Sequence, residues 1–536
     1  MDTDVLIVGA GPTGLMLANQ LVRRGVRPLI IDRHAGPSRE TKALGVQARS
    51  LEIYAQLGIV DRALELGTPG DGANLWARGR KMARVPLGQT GKNLTPYPYI
   101  LILGQDDNER IMGEKLRESG LSVQWNTELT SLEQHPTHLA ATLRHADGTT
   151  RTLTAAWVAG CDGARSAVRE LNGITFPGAP YEHVFFVADV EVTGSMVPGE
   201  VNVYLWRDGF HLFFPMKGRD HWRIVGILPP ALRGRQGVGF DAVIPSVRGE
   251  AGATLEFKSC AWFSTYRIHH RAASRFRARR CFLLGDAAHI HSPVGAQGMN
   301  TGLQDAYNLA WKLALVVTGK ADEELLDSYE RERLPIAQRL LATTDRGFKL
   351  AVSDSWIAGL LRTEVIARIA AWAMRHERIQ QFAFRVVSQT GIHYRDSVLS
   401  QELIRVDGEA PRAGDRFPWL KVKLDANGPV KDLFQTLDDR RFNLLIFNQQ
   451  VKPESVVGLE DLVRCHAIPS DAANDAALRR AQIPQPSFYL VRPDGYVGLC
   501  GGRFDPLAIE RYMRARIHLA GESLPHAGTR VSAKAS

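Results

Sequence analysis

With 536 residues, of which 44% are hydrophobic and 23% charged, the chain has an ordinary globular composition and length for about three domains. Its net charge of +9 comes without a long Lys/Arg block, which argues against nucleic acid as a partner and leaves a field that attracts anions. Five scattered cysteines without a CxxC pair exclude a disulfide framework and a zinc site and suit a reducing cytoplasm, and no apolar run approaches the roughly 18 residues of a membrane span.

Residues 4–8 (Asp-Val-Leu-Ile-Val) are an apolar run suited to a buried parallel strand. A glycine-rich turn follows, and then Leu15, Leu17, Ala18, Leu21 and Val22 recur at helical spacing until Gly25. Residues 28–31 read as a second buried strand, which completes one βαβ unit. Helices are predicted over 50–57 and 109–118, and antiparallel strands over 139–143 and 150–153. Strand patterns dominate from 180 to 270, among them 201–205 and 210–214. The cluster Arg275, Arg277, Arg279 and Arg280 reads as one solvated strand face. Strand, glycine turn and helix return over 280–320, and helices continue to 395, including an amphipathic one over 357–374. A break rich in Gly, Pro and Asp at 408–418 precedes a separate α/β module.

Three motifs carry chemistry. In the first, Gly9-Ala10-Gly11-Pro12-Thr13-Gly14, Gly9 permits the tight turn, Gly11 lets backbone approach a pyrophosphate, and Gly14 allows close packing of helix on strand. The helix N-terminus faces the phosphates, and Asp32 at the end of the next strand suits a ribose hydroxyl pair. The second, Gly160-Cys161-Asp162-Gly163-Ala164-Arg165-Ser166, sets an Asp-Gly turn between a strand end and a helix start, which by itself is also a common turn. In the third, Gly285-Asp286 is followed by Pro293-Val294-Gly295-Ala296-Gln297-Gly298-Met299-Asn300. Asp286 is suited to a ribityl hydroxyl, and the amides of Gly298, Met299 and Asn300 open a helix toward an anionic ring.

In this order the three motifs resemble those of the class A flavoprotein monooxygenases, the aromatic-ring hydroxylases with a para-hydroxybenzoate hydroxylase-like fold, over residues 1–350. The resemblance implies an α/β chain with a Rossmann-like FAD-binding domain (1–75, 100–178 and 270–350) and a β-sheet substrate domain (76–99 and 179–269). A helical linker region (351–405) then leads to a C-terminal domain (406–536). That last domain is similar to the thioredoxin-like one of the phenol hydroxylase branch, on the cues Gly414-Asp415-Arg416-Phe417-Pro418, 442–447 and Leu490-Val491-Arg492-Pro493-Asp494-Gly495. Without a CxxC it reads as a packing or dimerisation module, so a homodimer is left open.

By the same resemblance, Asp32 and Arg33 flank the adenosine ribose and Gln105 reaches the diphosphate or ribose of FAD. Asp162 and Gly163 serve FAD and NAD(P)H, Asp286 binds the ribityl–pyrophosphate portion, and Pro293 to Asn300, with Gly298 and Met299, border the isoalloxazine. Lys42 stands where the family often has an arginine, keeping the charge without the bidentate fork, and Arg49 resembles a second family arginine. A single Rossmann fingerprint implies that NAD(P)H binds transiently, reduces FAD and leaves; O2 then gives a flavin hydroperoxide that hydroxylates a small phenolic or polyketide aromatic substrate. Tyr204, Trp206, His211, Phe213, Phe214, Pro215 and Tyr266 are candidates to line the substrate cavity. His211, Tyr266 and Pro293 are the candidate catalytic residues, with His211 suited by its titration range to phenol deprotonation. The alternatives are oxygenative inactivation of an aromatic antibiotic, of the rifampicin monooxygenase kind, and a flavin-dependent reductase or non-catalytic protein on the same fold.

Overall fold

The computed structural model describes residues 1–38, 43–206, 209–235, 237–251, 254–291, 297–352, 372, 376–404, 408–425, 427–449 and 458–520. Lys42, Pro293 and, apart from Trp372, the helix expected over 357–374 lie outside them. The chain divides into two units, Met1–Ala310 with Tyr329–Ile392, and Trp311–Ser328 with His393–Ser536.

The first unit holds two large sheets. In one, Cys281–Leu283, Thr150–Gly160, Thr3–Val8 and Pro28–Ile31 lie side by side in parallel, with Leu139–His145 and Thr127–Gln134 added antiparallel. Val5, Leu6, Ile7, Ala159 and Leu283 are all buried, as a sheet covered on both faces requires. Helix Pro12–Val22 forms the crossover between the first two strands, and Gly25 ends it with φ +80°. The arginine cluster is a correction: Arg277–Ala278 and Cys281–Leu283 form a two-strand hairpin whose turn is Arg279 (φ +55°) and Arg280. The Arg280 guanidinium stacks 4.6 Å over Trp157, so a turn covering an aromatic replaces the expected solvated strand face.

The other sheet is ordered His289–Ile290, Leu255–Ala272, Gly178–Gly194, His221–Ile227, Gly209–Pro215, Val201–Trp206, Ala73–Ala77 and Arg80–Val85. Alternation along its strands sorts the aromatics onto two faces. Trp76, Tyr204, Phe213, Phe186 and Trp222 pack with Val243, Val247 and Ala251 of the covering segment around helix Ile244–Ala251. Phe185, Phe210, Ile227, Leu212 and Tyr266 lie on the opposite face, which continues through Val203 and Phe214 to Leu44, Ile100 and Ile102.

In the second unit, Gln401–Glu402, Val497–Gly501, Ser487–Val491, Phe442–Phe447 and Val463–Ile468 form a mixed sheet. Leu444, Ile446 and Leu490 face one core, with Trp311, Leu325 and Tyr512. Leu445, Phe447, Tyr489 and Val491 face the other, with Phe417 and Leu478. Apolar residues on both faces make this a sheet buried between two layers.

Candidate active site

The glycine loop is shaped by what each glycine touches. Gly9 has φ +103°, and a Cβ there would collide with the carbonyl of Cys161. A Cβ on Gly14 would collide with the Gly9 carbonyl oxygen, so this glycine serves helix–strand packing as expected. Gly11 differs: a Cβ there meets no described atom within 4 Å, so its backbone faces open space at the start of helix Pro12–Val22. Thr13 wedges between the turn of the third motif and the helix that follows it, since a Cβ on Gly285 would lie 2.7 Å from its Oγ1 and one on Gly302 would collide with it. Arg169, in helix Ala167–Leu171, donates to the carbonyls of Ala164 (2.8 Å) and Ala287 (3.0 Å) and so joins the second motif to the third. The three motifs thus converge on one loop.

Asp32 is fixed at that loop. Its Oδ2 accepts from the Ala10 amide at 2.8 Å and its Oδ1 from the His34 amide at 2.9 Å. Arg33 beside it is exposed. Gln105 begins helix Gln105–Glu118 and donates to Glu109 Oε1 at 2.8 Å, while Glu109 Oε2 accepts from the Ser38 amide at 2.9 Å. Burial pushes the Glu109 carboxyl up against these hydrogen bonds, and the nearby Asp32 charge adds to the rise. Burial likewise raises Asp162, whose Oδ2 accepts from the Val168 amide at 3.2 Å and whose buried Oδ1 has no partner among the described residues. Gly163 follows with φ +75° and open space around it.

The third motif rests on a buried hub. Asp286 is exposed between buried Gly285 and Ala287. Behind it Asp305 accepts from the Gly285 amide (3.0 Å) and His289 Nε2 (2.8 Å) on Oδ2, and from Arg333 Nε (2.6 Å) on Oδ1. Burial alone would raise the Asp305 carboxyl; Arg333 and His289 outweigh it and hold it below the usual range. Arg333 also donates to the Thr301 carbonyl at 3.1 Å, so turn and helix share one anchor. Helix Gly298–Val317 begins beside strand Gly45–Val46: Asn300 Oδ1 accepts from the Gln47 amide (2.9 Å) and its Nδ2 donates to the Gly45 carbonyl (2.7 Å). Gly298 and Met299 are half-buried in the first turn.

Other expected residues are spread differently. Arg49 is buried, and its guanidinium donates to Glu52 at 2.9 Å. His211 is fully buried, stacked with Trp206 (ring centroids 5.7 Å) and 5.9 Å from Phe186. Register puts His211 beside Tyr204, hence on the sheet face covered by Ile244–Ala251, with Phe213 and Pro215. Tyr266 and Phe214 lie on the other face, toward Leu44, whose neighbour Gly45 binds Asn300. Burial pushes Tyr266 up to about 12. On that same face the buried Arg223 pairs with Asp189, under Trp262.

Sequence reasoning missed Glu109 and Arg333, whose partners Ser38 and Asp305 lie 71 and 28 residues away. The residues present fit a dinucleotide: the open cradle at Gly11, the helix start behind it, the fixed acid Asp32 and the unpartnered buried oxygen of Asp162 all border the converged loop. No helix among the described residues is long and apolar enough to cross a membrane.

A family model described as an FAD binding domain matches residues 2–344. The chain is 33% identical to 6-methylpretetramide 4-monooxygenase of Streptomyces rimosus, over 98% of this chain and 95% of that protein. It is also 33% identical to a rifampicin monooxygenase of Streptomyces venezuelae, over 93% of this chain and 95% of that protein. Among solved structures, aklavinone-11 hydroxylase in ternary complex with FAD and aklavinone superposes with a TM-score of 0.77 at 25% identity, covering 96% of this chain and 99% of that one.

Proposed function

The chain belongs to the FAD-binding family of aromatic-ring flavoprotein monooxygenases, and from that premise we propose that it hydroxylates a phenolic or polyketide aromatic substrate at the expense of NAD(P)H and O2. In balance, a ring C–H becomes C–OH, the second oxygen atom leaves as water, and NAD(P)H with one proton supplies two electrons. Bound FAD supplies the electron transfer and the activation of oxygen. The observation that carries this reading is the convergence of the three motifs on the open cradle at Gly11.

The chain's own residues bind, orient and exclude water. Gly11 and the start of helix Pro12–Val22 would take the diphosphate, and Asp32, steadied by Ala10, the adenosine ribose. Gln105 and Arg33 would border that end, Asp162 and Gly163 the middle, and Asp286 the ribityl chain. The amides of Gly298 and Met299 would meet the ring system, with Asn300 locking their turn to Gly45. We assign the substrate to the sheet face of Phe185, Phe210, Leu212, Phe214 and Tyr266, an apolar wall that sheds water from a flat aromatic ligand. With its phenol raised to about 12, Tyr266 stays protonated at neutral pH and acts as a hydrogen-bond donor. His211, on the far face, serves packing. Five free cysteines support a reducing cytoplasm as its location. The mixed sheet buried on both faces supports a thioredoxin-like C-terminal module.

The test is NAD(P)H oxidation and oxygen uptake by the purified protein across phenols, polycyclic polyketides and rifamycins, with peroxide quantified. Stimulation with hydroxylated product and little peroxide is expected from a polyketide or phenol. Product from rifamycins alone would transfer the assignment to antibiotic inactivation, the reading favoured by the rifampicin monooxygenase likeness. Reduction of FAD by NAD(P)H with no substrate-stimulated uptake would make it a reductase.

A further inference from the structure

The start of helix Gly298–Val317 is gripped by a segment outside the residues that the family model matches. Helix Glu377–Val387 packs Phe384 against Ala48 and Leu87, and its C-cap Ser388 gives its carbonyl to the Arg49 amide at 3.2 Å. The next residue, Gln389, has φ +59°, a left-handed conformation that strains a residue with a side chain. It is 3% exposed. Both ends of its amide are spent on one target. Nε2 donates to Thr301 Oγ1 (3.0 Å) and the Gln297 carbonyl (3.4 Å), and Oε1 accepts from Gln304 Nε2 (2.6 Å). Thr301 Oγ1 itself donates to the Gln297 carbonyl at 2.9 Å, so Gln389, Thr301 and Gln297 form a ring of hydrogen bonds, to which Gln304 is joined through Gln389.

A left-handed residue that merely ended a helix would be better served by glycine, and nothing about that turn calls for a glutamine amide. Strain retained at a buried polar residue points to a role for its side chain. We propose that Gln389 is a positioning residue for the flavin: it fixes the turn from Gln297 to Gln304, and with it the amides of Gly298 and Met299, at the height where they meet the isoalloxazine. The inference rests on the reading that this turn borders the ring system.

Gln389→Gly separates positioning from folding, because it removes the amide while relieving the left-handed strain. Relief of the strain offsets part of the lost hydrogen bonds, so the apoprotein is expected to melt within a few degrees of wild type. The holoprotein is expected to bind FAD about tenfold more weakly and to show an altered visible circular dichroism band of the flavin. Thr301→Val, which deletes the hydroxyl at nearly constant shape, should change the same band, and the double variant should add little to either single one. Wild-type FAD affinity and flavin dichroism in Gln389→Gly would overturn the proposal, as would a lowered apoprotein melting temperature with an unchanged flavin signal. None of these readouts needs a substrate. Gly11→Ala serves as the reference: if it too leaves FAD bound normally, the cofactor placement itself fails, and the proposal with it.

Discussion

A methyl group added to Gly9 and one added to Gly11 meet opposite fates two residues apart. At Gly9 it runs into the Cys161 carbonyl at a left-handed φ, whereas at Gly11 it enters open space. Gly9→Ala is therefore expected to destabilise the apoprotein strongly. Gly11→Ala should leave apoprotein stability within about 0.5 kcal/mol yet cut FAD occupancy, as measured by urea unfolding and by flavin absorbance per chain. Asp305 offers a second residue-scale test. Its folded carboxyl is held low, so the stabilisation it gives is present above the unfolded value of about 3.9 and is lost as pH falls through the folded one. Asp305→Asn should cost about 3–5 kcal/mol at pH 7, by leaving Arg333 buried without its carboxylate. The penalty should shrink as the wild type is titrated below pH ~4. An equal penalty at pH 3 and pH 7 would contradict the ion-pair account. The glycines were legible because a tight strand-to-helix turn constrains adjacent residues. Arg333 was not, because its bond to Asp305 closes between two helices and leaves no local pattern.

Strand Gly209–Pro215 places neighbouring residues on opposite faces of its sheet. Phe213 is fully buried under helix Ile244–Ala251, and Phe214 is half-buried on the face assigned to substrate. Phe213→Ala is expected to lower stability by about 3–5 kcal/mol with KM unchanged. Phe214→Ala should cost less stability while raising KM and the fraction of reducing equivalents lost to peroxide. Matching kinetic effects in the two variants would remove the assignment of faces. The sequence offered Phe213 and Phe214 alike as lining candidates; the strand sends them to opposite faces, and the face that packs on Leu44, Ile100 and Ile102 is the one proposed for substrate. The arginine hairpin shows the same limit at smaller scale. Alternating Arg, Phe and Ala fit a strand, but the positive φ of Arg279 closes a turn instead.

Across the whole chain, the second unit includes Trp311–Ser328 as well as the C-terminal residues. Trp311, Ala321 and Leu325 share a core with Phe442, Leu490, Ile509 and Met513, and Trp311 Nε1 donates to Asp494 at 3.0 Å. A chain truncated after residue 392 would keep Trp311–Ser328 and lose the strands and helix that bury its apolar side. It is expected to be insoluble or to aggregate, as read from the soluble fraction and light scattering. A monodisperse, FAD-loaded truncation would show that this core is dispensable.

The sequence by itself determined the βαβ unit, the family and the glycine turn proposed to hold the dinucleotide. A glycine turn between a strand and a helix is a local solution to binding phosphate, and local solutions leave local spacing. The tertiary structure alone decided that His211 lies on the helix-covered face of its sheet, that Asp305 anchors turn and helix together, and that Gln389 reaches back to Thr301. These depend on which faces meet and on hydrogen bonds between residues far apart in the chain. Buried polar groups take whatever partners the fold brings to them, and no periodicity of one segment encodes that choice.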